Sequence, residues 1–292
     1  MSDRFKGRTV VVTGVSTGIG HATAERLLRD GFRVFGSVRK PGDAERLSKQ
    51  LGAGFSPLLF DVTDEAAIAA AAAEVKAALG DAPLFGLVNN AGMPAGGPLM
   101  HQPVGELLEV LRVNAVAVVA VTQAFLPLLG ARRDFAGQPG RIVNISSVGG
   151  RLVVPFIGAY QASKHALEAL SDALRRELMI YGIDVVTIEP GSVVTPIWDK
   201  AERIGFARYA GTDYAGVLER FGKMVAETGR AGLPPSRVAE IVHVALTTPR
   251  PRARYAVVRN RLVNWDLPRA MPDRWLDRAM AKRIGLKRLR KG

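Results

Sequence analysis

The feature that most limits what this chain can fold into is a regular alternation of short apolar runs with longer segments of helical period. The runs are "TVVVTG" (9–14), "FRVFGSV" (32–38), "SPLLFDV" (56–62), "PLFGLVNNAG" (83–92), "RIVNIS" (141–146) and "IDVVTIEPG" (183–191). Between them lie helical patterns at 20–31, 42–52, 64–80, about 104–129 and about 158–181. Strand followed by helix at this spacing predicts a parallel sheet with helices on both faces. Strands buried on two sides read as continuous apolar runs rather than alternating ones, which these do. The stretch 195–229 breaks the alternation and reads as a helical excursion over one end of the sheet. No linker interrupts the pattern, so residues 1–260 read as a single α/β, doubly wound domain that includes a lid at about 192–230.

Composition narrows the function classes. The absence of cysteine excludes disulfides and thiolate metal sites. Four scattered histidines (His21, His101, His165, His243) have no ligand spacing, so no metal is expected. No apolar run reaches the ~20 residues of a membrane span, and the N-terminus has no leader pattern. The expectation is a cytoplasmic protein. The net charge of +13 is uneven: residues 250–292 carry 14 Lys/Arg against 3 Asp/Glu, while the rest carries 26 against 24. Residues 261–292 therefore read as a basic C-terminal extension, not an independent domain. There Trp265, Leu267, Trp275, Leu276, Met280, Ile284, Leu286 and Leu289 interleave with Arg and Lys. That pattern fits peripheral contact with an anionic membrane, or an arm packed on a neighbouring subunit. Nucleic-acid binding through "KRIGLKRLRKG" has no recognition motif behind it, and no nucleic-acid partner is expected.

The first strand leads into "TGVSTGIG" (13–20), where Gly14, Gly18 and Gly20 open the first helix. Glycine permits the tight turn and lets backbone approach a pyrophosphate, while the helix N-terminus offers unpaired N–H groups. Gly14, Ser16, Thr17, Gly18, Ile19 and Gly20 are thus candidate dinucleotide contacts, with two hydroxyl donors among them. After the second strand, "VFGSVRKPGD" places Arg39 and Lys40 where an NAD-preferring site carries an acid; none follows until Asp43. Arg39 against a 2′-phosphate favours NADP(H), with NAD(H) possible. The alternative for Arg39 is a solvated loop charge.

Further polar residues gather at predicted strand ends, where ligands of open α/β sheets bind. "VNNAG" (88–92) ends the fourth run, and "RIVNISSVGG" (141–150) ends the fifth with Ser146 and Ser147 on opposite faces. Asn114 interrupts an apolar helix in "RVNAVAV". Tyr160 and Lys164 of "YQASK" stand at i and i+4 on one helix face. With "DVT" (61–63) and "EPGSVVTP" (189–196), these pieces resemble the short-chain dehydrogenase/reductase family over roughly residues 7 to 260. "FDVTDEAAI", "LFGLVNNAG" and the texture of 110–129 are similar to its retinol and hydroxysteroid dehydrogenase branch.

The resemblance implies a Rossmann-type fold and an NAD(P)-dependent oxidoreductase. Hydride would pass between the nicotinamide and a secondary alcohol or ketone, or a primary alcohol or aldehyde. It implies a catalytic set of Asn114, Ser147, Tyr160 and Lys164, and selects Ser147 over Ser146. Tyr160 would take or supply the oxygen-bound proton. Its pKa, about 10 when free, would be lowered by the Lys164 cation and the oxidised nicotinamide. Ser147 would bond the same oxygen, and Asn114 would hold a water that links Lys164 to solvent. Asp61 and Val62 would flank the adenine, Asn90 would approach the ribose, and Ala91 and Gly92 would also touch the cofactor. Pro190, Gly191, Val193 and Thr195 would cradle the nicotinamide amide, with Tyr160 and Lys164 also touching the cofactor. A homodimer or homotetramer is implied too. A non-catalytic dinucleotide sensor would be expected to lack one of the four catalytic residues, and none is missing.

Substrate choice falls to the excursion. Val193, Val194, Ile197, Trp198, Ile204, Phe206, Tyr209 and Tyr214 suit a lipophilic steroid, retinoid or acyl chain. Trp198, Phe206, Tyr209 and Tyr214 read equally as pocket wall or lid core.

Overall fold

A computed structural model describes residues 5–196 and 206–289. Seven strands form one parallel sheet in the order β3-β2-β1-β4-β5-β6-β7. They are β1 (Thr9–Val12), β2 (Arg33–Val38), β3 (Phe55–Leu59), β4 (Gly86–Asn89), β5 (Arg141–Ile145), β6 (Asp184–Pro190) and β7 (Arg254–Val257). The order reverses between β1 and β4, which opens a crevice at the C-terminal strand ends. The fold is Rossmann-like, as the alternation predicts.

Each sheet face has its own apolar layer. Val10 and Val12 join Val34, Val88 and Val143 on one side, and Val11 joins Phe35, Leu87 and Ile142 on the other. Neighbours along a strand point to opposite faces, so an unbroken valine run serves both layers. Helix α1 (Gly18–Arg29) and the helix Pro235–Thr247 cover the first layer through Ala24, Leu27, Val238 and Val242. Helices α3 (Glu65–Leu79) and α5 (Ala117–Phe125) cover the second through Ile68, Val75, Val121 and Phe125.

Two features depart from the sequence reading. The expected helix at 104–129 is three pieces: α4 (Val104–Leu111), a π-helical turn (Arg112–Val116) and α5. Such turns are frequent at functional sites, and this one carries Asn114. The C-terminal extension, which the sequence left open between a membrane contact and an arm on a neighbouring subunit, buries Ile284 against its own chain. Ile284, at the end of the terminal helix Asp273–Ile284, shares a core with Phe156, Tyr209, Leu218 and Phe221. Leu218 and Phe221 belong to the lid helix Ala215–Arg230. The physical reason is an amphipathic pattern: Ile284 is buried while Arg274, Arg278 and Lys282 stay exposed. No helix among the described residues is long and apolar enough to cross a membrane.

Candidate active site

The chain leaves β1 at Val12 and turns through Thr13–Thr17 into α1. Gly14 and Gly18 have φ of +70° and +65°, the left-handed region that glycine occupies without strain. A Cβ on Gly14 would lie 2.9 Å from the Ala91 Cα, and one on Gly18 3.2 Å from the Thr195 Cγ2. The side chain of Thr17 does not cap α1, and its first turn holds no acid. The helix N-terminus therefore presents free N–H groups and an unopposed dipole to the crevice, a cradle that fits a pyrophosphate. Gly20 does something different. It does not border the crevice; a Cβ there would stand 2.3 Å from the Gly14 carbonyl oxygen and 2.4 Å from Asn90 Nδ2. Gly20 lets α1 pack under the turn rather than touching a ligand itself.

Asn90 closes that packing. Its amide donates to the carbonyls of Thr13 (2.9 Å) and Gly14 (3.0 Å). The Thr13 hydroxyl accepts the N–H groups of Asn90 and Ala91. Ser37 is buried, and its hydroxyl accepts from Gly14 N at 3.0 Å. Arg39 stands 70% exposed at the crevice edge, 3.7 Å from the Asp61 carboxylate. Burial pushes the Asp61 carboxyl up, but hydrogen bonds from Thr63 and the charges of Arg39 and Arg112 outweigh it and hold it below the usual range. A second cation was missed in the sequence: Arg46 donates to the Ser16 carbonyl at 3.0 Å. Only its place on α2 (Pro41–Leu51), folded back towards the turn, reveals it.

Tyr160 and Lys164 lie in α6 (Gly158–Glu177), and Ser147 follows β5. The Ser147 hydroxyl borders the cavity beside Tyr160 and accepts from Gly149 N at 3.0 Å. Ser146 is buried with its hydroxyl unpartnered, packed near Gly150. Both serines nonetheless border the same cavity, Ser146 as the more buried of the two. The Lys164 ammonium sits 5.9 Å from the Tyr160 ring centroid and donates to the Ile145 carbonyl at 2.9 Å. Burial pushes Lys164 down to about 8, with Glu168 opposing. Burial pushes the Tyr160 phenol up, with the Ser147 bond opposing. The expected lowering of Tyr160 by Lys164 is therefore not what prevails, because enclosure outweighs the bond and the ammonium is turned to a backbone carbonyl.

Asn114 lies behind these groups and off the crevice wall. Its Oδ1 accepts from Met93 N (2.8 Å), and its Nδ2 donates to Met93 O (2.9 Å) and Ser163 Oγ (3.0 Å). Both amide hydrogens are engaged, which leaves only Oδ1 able to take a further hydrogen bond. The π-helical turn aims this side chain at the β4 exit loop and at the residue before Lys164.

Two buried polar networks support the site, and neither was foreseen. Asn89 donates to Asn144 Oδ1 (2.9 Å) and Thr122 Oγ1 (3.1 Å), and Asn144 donates to Ser171 Oγ (2.9 Å). One turn beyond Lys164, Glu168 meets Arg151 and Arg254 at 3.5 and 3.0 Å. Glu189 lies 3.6 and 3.7 Å from the same two guanidinium groups. Burial pushes Glu189 up to about 7, with Glu168 adding to the rise and Arg151 and Arg254 opposing it.

One cavity of about 1520 Å³ connects the glycine turn to the lid. Single small-molecule sites run to roughly 300–1,000 Å³, so this one has room for a dinucleotide and a second molecule together. Gly14, Ser16, Thr17, Gly18, Ile19, Arg39, Asp61, Val62, Asn90, Ala91 and Gly92 border its nucleotide side. Ser147, Tyr160, Lys164, Pro190, Gly191, Val193 and Thr195 border its middle. Of the lid residues, Phe206 lines the cavity, whereas Tyr209 and Tyr214 belong to the lid core. Val194 is 48% exposed; Ile197, Trp198 and Ile204 lie outside the described residues.

This arrangement defines a dinucleotide-dependent oxidoreductase, and comparison with known proteins agrees. Residues 8–203 match the short chain dehydrogenase family. The chain is 44% identical over 275 residues to the NADPH-dependent 3-dehydrocapnine reductase of Ornithobacterium rhinotracheale, covering 94% of this chain and 96% of that one. It is 35% identical over 265 residues to human retinol dehydrogenase 5, covering 85% and 79%. Among solved structures, an actinorhodin polyketide ketoreductase with NADPH has a TM-score of 0.73 at 31% identity, covering 91% and 99%. The chain belongs to the short chain dehydrogenase family, on its retinol and hydroxysteroid dehydrogenase-like side. It is an NAD(P)-dependent oxidoreductase of the alcohol/ketone type.

Proposed function

We propose that this chain uses NADP(H), with NAD(H) as a poorer substitute, to reduce a lipophilic ketone or aldehyde to its alcohol. The observation that carries the reading is that Ser147, Tyr160 and Lys164 share the wall of one cavity with the uncapped glycine turn and Arg39. The dinucleotide, when bound, supplies the hydride. Gly14 to Ile19 hold its pyrophosphate, Arg39 takes a 2′-phosphate, and Asp61 and Val62 flank the adenine. Asn90, Ala91 and Gly92 border the ribose, and Pro190, Gly191, Val193 and Thr195 border the nicotinamide. Tyr160 donates its proton to the carbonyl oxygen, and Ser147 hydrogen-bonds the same oxygen. A phenol kept protonated by enclosure is in the state that reduction needs. Lys164, charged below about pH 8, favours the phenolate left behind. Asn114 positions the Met93 loop and Ser163, and through Ser163 the turn that carries Lys164.

The named relative's substrate, 3-dehydrocapnine, heads the compounds to test, beside lipophilic ketones and aldehydes. NADPH oxidation that is absent from Tyr160→Phe supports the reading. Turnover that persists in that variant defeats the assignment of Tyr160. The same reading takes the protein as a cytoplasmic homodimer or homotetramer with peripheral membrane contact through its tail. Leu262, Leu267, Trp275 and Leu289 are exposed there among Arg and Lys. Light scattering and cosedimentation with anionic vesicles test these two points.

A further inference from the structure

The lid side of the cavity carries cations that proton transfer does not use. Lys223 of the lid helix, Arg259 after β7 and Arg283 of the terminal helix all border it. Lys223 is held by Glu219 at 2.8 Å. Arg259 and Arg283 make no ion pair with any described residue, and both are exposed at the rim. Glu227 is the one carboxylate on this part of the wall among the described residues. Both arginines lie in or beside the C-terminal extension, beyond the matched family span of 8–203. The groups suited to the cofactor phosphates, Gly14 to Ile19 and Arg39, border the nucleotide side instead. The wall next to the arginines is apolar, with Phe206, Phe221, Val263, Met280 and Ile284.

A neutral steroid or retinoid would gain nothing from two guanidinium groups that no described carboxylate pairs. An oxyanion would, because the guanidinium fork matches carboxylate, sulfonate and phosphate oxygens in geometry and charge. We propose that the substrate is an anionic amphiphile: its apolar chain lies along Phe206, Phe221, Met280 and Ile284, and its oxyanion head is held by Arg259 and Arg283. This rests on the ketoreductase reading above and names the substrate class of that site.

The test is a binding comparison on the full chain saturated with NADPH. A long-chain fatty acid and the fatty alcohol of equal length are titrated by displacement of a fluorescent fatty-acid analogue. The acid is expected to bind about tenfold tighter than the alcohol, on the order of a charge-assisted hydrogen-bond pair at a rim. Arg259→Ala with Arg283→Ala should erase that advantage and leave alcohol and NADPH affinities unchanged. Lysine at both positions should restore part of it, which separates charge from folding. Equal binding of acid and alcohol by the unaltered chain overturns the proposal. So does an acid advantage that survives the alanine pair. A loss confined to NADPH affinity would assign the arginines to the cofactor, and a loss confined to anionic-vesicle binding would assign them to a membrane; either result also overturns it. Failure of the ketoreductase reading shows separately, as absence of Tyr160-dependent NADPH oxidation, and leaves the binding comparison readable.

Discussion

The two ends of the cavity are built by different means. The nucleotide end is backbone set against backbone: Gly14, Gly20, Asn90 and Ala91 come from two short stretches, and any Cβ added at Gly14 or Gly20 meets an atom within 2.9 Å. The lid end is side chain set against side chain: Phe156, Tyr209, Leu218, Phe221 and Ile284 come from distant segments and meet only through apolar contact. A pyrophosphate looks alike in every enzyme that binds it, so its cradle can be fixed by a few glycines. A lipophilic substrate varies, and so does the wall that meets it.

If this contrast is right, damage should divide cleanly between the ends. The largest effect is expected from Tyr160→Phe, where they join. Turnover should fall by about a thousandfold, within the range for loss of a general acid, while NADPH affinity measured by fluorescence titration stays unchanged. Gly20→Ala comes next. Its methyl group has only backbone and the Asn90 amide to displace, at 2.3 and 2.4 Å. It should cost on the order of 3 kcal/mol in denaturant unfolding and weaken NADPH as well. Equal NADPH affinity in a folded Gly20→Ala would break the contrast, since a residue off the cavity wall should act through the turn.

Ile284→Ala should do the reverse. Loss of the buried side chain should cost about 2 kcal/mol and raise KM for lipophilic ketones, with NADPH affinity untouched. A smaller change, about tenfold in the ratio of NADPH to NADH affinity, is expected from Arg39→Asp, because the residue is exposed and already shares its charge with Asp61. An unchanged ratio would remove Arg39 from the phosphate site. The smallest effect concerns pH. Glu189 is pushed up to about 7 from 4.5 in the folded chain, so the folded state holds its proton more tightly than the unfolded one. Its contribution to stability is present below about pH 4.5 and declines as the pH rises to about 7. Glu189→Gln should flatten that part of a plot of Tm against pH.

The same contrast explains what could be read from the sequence. Six strands and the glycine turn were legible because apolar runs and glycines act locally, on their own backbone. The i, i+4 spacing of Tyr160 and Lys164 put both on one helix face. The π-helical turn at Arg112–Val116 was not legible: no residue in "RVNAV" breaks a helix, and the turn follows from Asn114 bonding to Met93 and Ser163. Gly20 matched a motif whose spacing does not say whether a glycine faces a ligand or another backbone. The Glu168–Glu189 cluster joins residues up to 103 positions apart through Arg151 and Arg254, as Arg151 to Arg254 itself, and charge spacing along the chain carries no trace of it. The terminal helix announced an apolar side, but not which surface would cover it.

Arg254 also bears on how this chain can be divided. It is the first residue of the last strand, yet it neutralises Glu168 on the helix of Tyr160 and Glu189 at the end of β6. A chain cut where the family match ends, at residue 203, would leave both carboxylates to share Arg151 alone among the cations paired with them here. A buried charge left with no partner costs about 3–5 kcal/mol, and losing one of two shared partners costs part of that. The last strand is therefore not a detachable module: a chimera that exchanges substrate specificity between relatives must keep an arginine at this strand, or bring a matching pair of acids with it.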